Sequence, residues 1–304
     1  MKIVCIVGAT GTGKNQLALE IAKYFKGEII NFDSRQVYAG FPIITAQPLE
    51  EEKKICNHHL YGFLDLKSKI NAGEFAELAH NKILEVKNRG KLPILVGGTG
   101  LYLKAILFGL ANIPKIPVNI RKKIIDEYNT YGPLNMYKRL EKIDPDYAKK
   151  IHPKDKQRIT RALEVYEATK KNLTWYHKNY PTDTPKYDYL KLGIWMEKDI
   201  LEERLRKRID KMIEMGGIEE VKRAWEMCSD TSAPVWTSIG CKELLDYVRG
   251  KLSLNDAIDK WFYNTKKYAK RQVTWFKKEQ DIYWLKNCLK DDALKQVESF
   301  LNED

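Results

Sequence analysis

Residues 3–15 read IVCIVGATGTGKN, a short apolar run that enters a glycine-rich loop ending in lysine. Gly8, Gly13 and Lys14 have the spacing of a Walker A phosphate loop, G-x-x-x-x-G-K, and an amphipathic stretch follows. Glycines let the backbone wrap an anion closely, and the N–H groups of the following helix N-terminus face that anion. The order of strand, glycine loop and helix therefore predicts an α/β fold that binds a di- or triphosphate group.

One position of the loop departs from the Walker A pattern, in which Ser or Thr follows the lysine and its hydroxyl binds Mg²⁺. This chain has Asn15 there, whose amide oxygen can bind Mg²⁺ but lies one atom further from the backbone. We expect Mg²⁺ as the cofactor with Asn15 as a candidate ligand, and metal use and nucleotide turnover stay open. The candidate diphosphate-binding residues are Gly8, Ala9, Thr10, Gly11, Thr12, Gly13, Lys14 and Asn15.

Charge and cysteine usage narrow the class of protein. The chain has 53 Lys and Arg against 41 Asp and Glu, a net charge of +12, which favours a polyanionic partner such as nucleic acid or a phosphorylated small molecule. The five cysteines are scattered and predict reduced, buried thiols rather than disulfides or a zinc site. No apolar run is long enough for a membrane span, and the first strand leaves no room for a signal peptide. We expect a cytoplasmic monomer.

Strand and helix signals alternate over the first 110 residues. The predicted strands are 3–7, 28–32 and 92–96, and the predicted helices are 14–25, 73–88 and 101–108. Such alternation predicts a parallel sheet flanked by helices, in which ligands bind at the carboxyl ends of the strands. The phosphate loop, DSRQVY (33–38) and GGTGLY (97–102) all fall at those ends.

The rest of the chain is mostly helical. Residues 111–188 are punctuated by prolines and predict a helical insertion, so the core comprises 1–110 and 189–304. The segment 189–196 predicts a further strand. Two long helices are predicted over 199–227 and 253–280.

Polar residues follow two of the predicted strands. Asp33 could hold Mg²⁺ or accept a proton from a nucleophile, and the alternative is an aspartate in a turn or at a helix N-cap. Thr99 offers a hydroxyl in the same cleft, or belongs to an ordinary turn between strand and helix. His58 and His59 are adjacent and point apart on most backbones, so a shared metal is not expected.

Two basic stretches are candidates for nucleic-acid binding. Residues 149–161 read KKIHPKDKQRITR, and residues 261–278 read WFYNTKKYAKRQVTWFKK, with six basic residues, six aromatic residues and no acid. Interleaved cations and aromatic rings suit a phosphate backbone with unstacked bases. The alternative is an amphipathic helix with its rings in the core, and helical spacing predicts that Tyr268 and Trp275 are buried together.

Taken together, these motifs resemble the tRNA dimethylallyltransferases, also called tRNA isopentenyltransferases. The resemblance extends over nearly the whole chain in the order of the family. The matching motifs are GATGTGK, DSRQVY, TAQP (45–48), HHL (58–60), LVGGTGLY (95–102), DP (144–145), IHPKDKQRITRALEVY (151–166), RIDKMIEMGGIEEV (208–221), SIGCKEL (238–244) and YAKRQVTWF (268–276).

The resemblance implies a phosphate-loop α/β domain whose helical insertion grips the anticodon stem-loop of tRNA. It implies transfer of a dimethylallyl group from dimethylallyl diphosphate to N6 of the adenosine 3′ to the anticodon, in tRNAs that read codons beginning with U. Asp33 would be the general base, with Thr10 and Arg208 at the diphosphate. The implied tRNA contacts are Asp33, Ser34, Arg35, Gln36, Thr99, Arg121, Gln157, Arg158, Ile159, Thr160, Arg161, Lys242, Lys270, Arg271 and Gln272.

Three other functions stay open. An adenylate isopentenyltransferase, which prenylates free AMP, ADP or ATP, would share the phosphate loop and the general base. A weakly active tRNA-binding paralogue is motivated by Asn15 and by Gln47, which stands where the family usually has lysine. A small-molecule kinase would explain the loop but not the two basic stretches.

Overall fold

The computed structural model describes residues 1–286 and 290–303. The chain forms two compact units, Met1–Leu107 with Lys186–Asp304, and Phe108–Pro185. The sequence placed these boundaries a few residues later, at 111 and 188. The predicted helical segment is thus inserted between the fourth and fifth strands of an α/β unit.

The first unit is built on one six-stranded sheet. Its strands are β1 (Lys2–Gly8), β2 (Gly27–Asn31), β3 (His58–His59), β4 (Leu92–Val96), β5 (Asp188–Trp195) and β6 (Tyr283–Lys286). Their order is β3-β2-β4-β1-β5-β6, and every pair is parallel. The predicted parallel sheet and its four predicted strands are confirmed. The two edge strands, β3 and β6, were not predicted.

The strand register brings the candidate motifs to one edge of the sheet. Val96 of β4 pairs with Ile6 of β1 and with Asn31 of β2. The three strands therefore end side by side, and the loops that follow them begin at neighbouring points. β1 is central and its residues Ile3–Val7 are fully buried, so this edge rests on a rigid core.

Thirteen α-helices and one 3₁₀ turn occur in the described part of the chain. They are α1 (Lys14–Tyr24), α2 (Glu50–Ile55), α3 (Ala72–Asn88), α4 (Gly100–Phe108), α5 (Val118–Ile143), α6 (Pro145–Ala148), α7 (Lys156–Thr169), α8 (Leu173–Asn179), α9 (Lys198–Glu214), α10 (Gly217–Met227), the 3₁₀ turn Pro234–Thr237, α11 (Cys241–Val248), α12 (Leu254–Phe276) and α13 (Lys290–Asn302). None of the helices described is long and apolar enough to cross a bilayer.

The prediction of one helix over 199–227 is wrong, because the segment forms two helices, α9 and α10. They meet at Gly216, whose φ of 95° lies in the left-handed region that terminates helices. A Cβ on the next residue, Gly217, would lie 2.7 Å from the carbonyl oxygen of Met212. The second glycine thus lets α10 start close against the end of α9.

The prediction that Tyr268 and Trp275 are buried together is also wrong. Trp275 is 36% exposed, and its indole N–H donates to Glu279 at the surface. The buried face of α12 is instead formed by Ala257, Trp261, Ala269, Gln272 and Phe276. That face follows the helical period along the chain, with Trp275 lying just outside it.

The second unit is a helical bundle with its own core. Ile124 and Leu140 of α5 pack with Ile159 and Val165 of α7, and all four are fully buried. α5 is interrupted at Gly132, where φ is 78°, directly before Pro133.

Four cysteines lie in the described part of the chain, and all are free thiols. Cys5, Cys228 and Cys241 are buried as predicted, whereas Cys56 is partly exposed. Cys288 lies outside the described residues.

Candidate functional site

The phosphate loop is residues 8–15, between β1 and α1. Gly8, Gly11 and Gly13 have φ angles of 146°, 85° and 96°, which residues other than glycine rarely adopt. α1 begins at Lys14, and no side chain of the described residues caps it at Gly13. The first N–H groups of the helix are therefore left for an anion.

Two side chains tie the loop together from within. Thr12 is buried and donates to the carbonyl oxygen of Ala9 over 2.9 Å. The Lys14 ammonium donates to the carbonyl oxygens of Gly8 and Ala9 over 3.0 and 2.6 Å. Burial lowers the pKa of Lys14 to about 8, although the Asp33 carboxylate nearby opposes the shift. The ammonium is thus held inside the loop, where an anion would stabilise its charge.

Gln272 of α12 joins the phosphate loop to the loop after β4. Its amide oxygen accepts from the Thr10 N–H over 2.8 Å, and its amide NH₂ donates to the Gly98 carbonyl over 3.0 Å. The side chain is 4% exposed. The prediction that Gln272 contacts tRNA stays a prediction, and in this structure both ends of its amide are bound inside the protein.

Asp33 is fixed just beyond the end of β2 by a buried asparagine. Asn31 accepts the Asp33 N–H over 2.7 Å and donates to the carbonyls of Asp33 and Leu60 over 3.2 and 2.8 Å. One Asp33 carboxylate oxygen accepts the Arg35 N–H over 2.9 Å. Asp33 also lies close enough to Arg208 to oppose the lowering of the arginine pKa that burial causes.

Thr99 supports the same turn from the loop after β4. Its hydroxyl oxygen accepts the Ser34 N–H over 3.0 Å and lies 3.3 Å from the Ser34 hydroxyl. The Tyr268 side chain also hydrogen-bonds to Thr99, and burial raises the pKa of this tyrosine. Sequence reasoning placed Thr99 in this cleft but did not single out Tyr268, whose position depends on the docking of α12.

Thr10, Asp33 and Tyr268 line a cleft of about 200 Å³ in the first unit. α9 forms one wall with Leu205, Arg208, Ile209 and Met212, at the i, i+3, i+4 and i+7 positions of one helix face. Arg208 donates to the Thr10 hydroxyl over 3.1 Å. The other residues that line the cleft are Arg35, Ile44, Thr45, Thr237, Ile239, Thr265 and Arg271. The cleft is therefore cationic near Thr10 and apolar along α9.

Sequence reasoning selected Arg208 on this wall and missed its apolar neighbours. The helical spacing of the apolar residues in the segment 199–227 could have indicated an apolar helix face. It could not have indicated what that face packs against. Ile239 carried no signal, because it comes from a loop that only the tertiary fold brings to the cleft.

The other predicted tRNA contacts of the first unit have different surroundings. Arg35 donates to the Thr237 hydroxyl over 3.0 Å, and Gln36 donates to the carbonyls of Thr45 and Ala46. Lys242, Lys270 and Arg271 are exposed. Gln47, which stands where the family usually has lysine, is not among the residues that line the cleft and donates to the Tyr38 carbonyl over 2.8 Å.

In the second unit, most of the predicted tRNA contacts lie on α7, and they alternate between its exposed face and its buried face. Gln157 and Arg158 are exposed, and Arg161 lies 3.8 Å from Glu164, which Arg121 also approaches to 3.6 Å. Ile159 is fully buried and Thr160 is 7% exposed. The predicted tRNA contacts of Ile159 and Thr160 stay predictions, and in this structure both side chains face the core of the second unit.

The two adjacent histidines have separate partners. His58 Nδ1 lies 2.9 Å from the Cys56 carbonyl oxygen, and His59 Nε2 lies 2.7 Å from Glu28 Oε2. Within residues 1–286 and 290–303, no three His, Cys, Asp or Glu side chains are grouped as metal ligands. Asn15 stays a candidate metal ligand at the phosphate loop.

Comparisons with known proteins agree with this fold. The family model described as IPP transferase matches residues 36–279. The chain is 48% identical to a tRNA dimethylallyltransferase of Maridesulfovibrio salexigens over 98% of this chain and 97% of that protein. A tRNA dimethylallyltransferase of Acetivibrio thermocellus is 39% identical, with 93% and 91% of the two chains covered.

Solved structures give the same result. A tRNA isopentenylpyrophosphate transferase from Bacillus halodurans is 34% identical, with a TM-score of 0.72 over 99% of this chain and 95% of that one. A eukaryotic dimethylallyltransferase acting on tRNA is 32% identical, with a TM-score of 0.84 over 99% and 79%. The chain belongs to the IPP transferase family.

Proposed function

We propose that this protein transfers the dimethylallyl group of dimethylallyl diphosphate to N6 of the adenosine 3′-adjacent to the anticodon, in tRNAs that read codons beginning with U. The names of its relatives support dimethylallyl transfer to tRNA. The observation that carries the proposal is the composition of one cleft. A carboxylate, Asp33, and a cation, Arg208, border an apolar wall on α9 beside the phosphate loop.

The donor diphosphate would bind at residues 8–15. Lys14 and Arg208 supply two cations, and the first N–H groups of α1 supply hydrogen-bond donors. Negative charge builds on the bridging oxygen as the bond between that oxygen and the allylic carbon C1 breaks. Donors fixed in advance at this point stabilise the leaving diphosphate more than the bound ground state.

The acceptor would be the exocyclic amine of an adenine turned out of its stack, which costs a few kcal/mol and least in a single-stranded loop. N6 forms the new bond to C1, the bond from C1 to oxygen breaks, and diphosphate leaves. The proton of N6 passes to the Asp33 carboxylate. Asn31 fixes the backbone that carries this carboxylate, because it accepts the Asp33 N–H and donates to the carbonyl oxygens of Asp33 and Leu60.

Mg²⁺ fits the donors present. It prefers oxygen ligands and is often held by one or two carboxylates together with substrate phosphates and water. Asn15 would hold it together with diphosphate oxygens and water, which leaves the Asp33 carboxylate to accept the proton, and when bound it neutralises charge on the diphosphate. Because the Asn15 amide reaches further than a hydroxyl, Asn15→Thr should lower the Mg²⁺ concentration for half-maximal transfer. An unchanged Mg²⁺ dependence would remove Asn15 from the metal site.

tRNA would bind through exposed cations. In the first unit the exposed cations are Lys242, Lys270 and Arg271, and Arg35 is partly exposed. In the second unit Arg121 and Arg158 are exposed, as is Gln157, and Arg161 is partly exposed. Such contacts to phosphate position the RNA without reading its sequence.

The test is mass spectrometry of nucleosides after the protein is incubated with dimethylallyl diphosphate and an unmodified anticodon stem-loop, with free AMP in parallel. We expect prenylated adenosine in the stem-loop only. Asp33→Asn should lower the single-turnover rate by about 10²–10⁴, whereas Asp199→Asn, an exposed aspartate in the first turn of α9, should not.

Other outcomes identify the alternatives. Prenylation of AMP without the stem-loop would indicate an adenylate isopentenyltransferase. Stem-loop binding without transfer would indicate a tRNA-binding paralogue, and transfer of the γ-phosphate of ATP would indicate a kinase.

A further inference from the structure

We propose that Ile44 limits the length of the allylic donor, so that the cleft accepts a five-carbon dimethylallyl group and excludes a ten-carbon geranyl group. The inference rests on the proposed function and adds a determinant of donor length to it. It depends on where Ile44 lies along the cleft, on what holds it there, and on what lies behind it.

The cleft runs along α9 away from the phosphate loop. At the near end, a Cβ on Gly11 would lie 2.6 Å from Leu205 Cδ2, and Arg208 contacts Thr10. Met212 comes seven residues after Leu205, which is about 10 Å further along a helix. A Cβ on Gly217 would lie 2.7 Å from the Met212 carbonyl oxygen and 3.6 Å from Ile44 Cγ1. Ile44 therefore lies at the far, apolar end.

Glu220 of α10 fixes the position of Ile44. Its two carboxylate oxygens accept the N–H groups of Ile43 and Ile44 over 2.8 and 2.9 Å. Glu220 is 2% exposed and Ile44 is 5% exposed. Isoleucine is branched at Cβ and has few rotamers. The side chain thus forms a wall that cannot easily swing aside when a longer donor enters.

The space behind Ile44 is filled by the protein. A Cβ on Gly240 would lie 2.7 Å from Ile44 Cγ2 and 2.7 Å from the Trp261 ring. Because Gly217 and Gly240 have no side chain, the backbone at these two residues can pack against Ile44 from two sides. If the isoleucine side chain is shortened, these neighbours are too constrained to collapse fully, and room opens at the end of the cleft.

The cleft has a volume of about 200 Å³, and Ile44 is one of the apolar side chains that line it. The chemistry is the same for either donor, since N6 bonds to C1, the bond from C1 to oxygen breaks, diphosphate leaves and Asp33 takes the proton. Only the fit of the hydrocarbon tail distinguishes the two.

The experiment compares kcat/KM for geranyl diphosphate and dimethylallyl diphosphate with one anticodon stem-loop. Ile44→Ala should raise the ratio of geranyl to dimethylallyl transfer by about tenfold or more, because each methylene in an apolar pocket discriminates by about 10–200-fold. Ile43→Ala is the matched control. Its N–H binds the same Glu220, but its side chain is not part of the cleft lining.

Two further variants test the wall if Ile44→Ala folds poorly. Ile44→Val should raise the ratio by a smaller factor, and Ile44→Phe should raise the KM for dimethylallyl diphosphate. Glu220→Gln should raise the ratio as well, since the amide NH₂ would face one of the two N–H groups that the carboxylate oxygens accept. A purely structural role of Glu220 would lower transfer of both donors equally and leave the ratio unchanged.

The inference is overturned if wild type transfers both donors equally well, or if the folded variants at Ile44 keep the wild-type ratio. It is also overturned if Ile43→Ala shifts the ratio as much as Ile44→Ala. Failure of the proposed function is a separate result, because wild type would then prenylate the stem-loop with neither donor.

Discussion

Replacement of Gln272 by leucine should loosen the loops that form the diphosphate site. Leucine is similar in size but cannot hydrogen-bond, so the Thr10 N–H and the Gly98 carbonyl would each lose a buried partner. An unpaired buried group costs about 1–3 kcal/mol, and this cost falls mainly on the Gly98 carbonyl because the bond from the Thr10 N–H is only partly buried. Because folded proteins are stable by about 5–15 kcal/mol, this is a large fraction of the total.

The loss is measured as a fall in the urea midpoint of unfolding and as weaker binding of dimethylallyl diphosphate by calorimetry. Gln16→Leu, an exposed glutamine on α1, is the control and should change the midpoint little. tRNA affinity and its salt dependence should stay close to wild type, since Gln272 is 4% exposed. The reasoning is refuted if Gln272→Leu keeps the midpoint and donor affinity but loses tRNA affinity.

Three further predictions concern charge. The affinity for dimethylallyl diphosphate, measured by calorimetry, should fall by up to about tenfold per pH unit above pH 8, because Lys14 in the free protein loses its proton there. The Lys14→Arg variant should not show this pH dependence. Neutralising Lys270 and Arg271 should reduce the slope of the logarithm of tRNA affinity against the logarithm of salt concentration by about 0.7–0.9 for each phosphate contact that is lost. Neutralising Lys87 is the control and should leave the slope unchanged. Burial would raise the pKa of Glu28, but hydrogen bonds from Arg89 and His59 lower it from 4.5 to about 2. The lowered pKa stabilises the fold by about 3 kcal/mol above pH 4.5. The urea midpoint of wild type should therefore exceed that of Glu28→Gln above pH 4.5, and the difference should disappear as the pH falls towards 2.

Much of the α/β unit could be predicted because its signals are local. The phosphate loop needs glycine where φ is positive, and Gly8, Gly11 and Gly13 all have positive φ. The buried strands are continuous apolar runs, which is typical of parallel sheets. The short edge strand β3 escaped prediction because His58 and His59 form it by pairing with β2 and carry no apolar run of their own.

Residues that act through tertiary contacts were harder to assign. Gln272 sits among exposed cations in the sequence, and only the helical period of α12 indicates that it faces inward. A basic stretch predicts that a surface binds nucleic acid. It does not predict which polar side chains of the stretch lie on that surface. Each polar residue in such a run must first be placed on a helix face before it is assigned to the ligand.

The arrangement of the cleft follows from the same interplay of local and distant contacts. α9 presents Arg208 to Thr10 and, from the same face, Met212 towards the far end, so one helix places a cation and an apolar surface at a fixed separation. A diphosphate joined to a hydrocarbon tail has this same polarity along its length. Because Gly216 ends α9 and turns the chain back, Glu220 can hold the loop that carries Ile44 across the end of that face. The glycine that made the helix prediction wrong is thus the residue that allows the cleft to be closed.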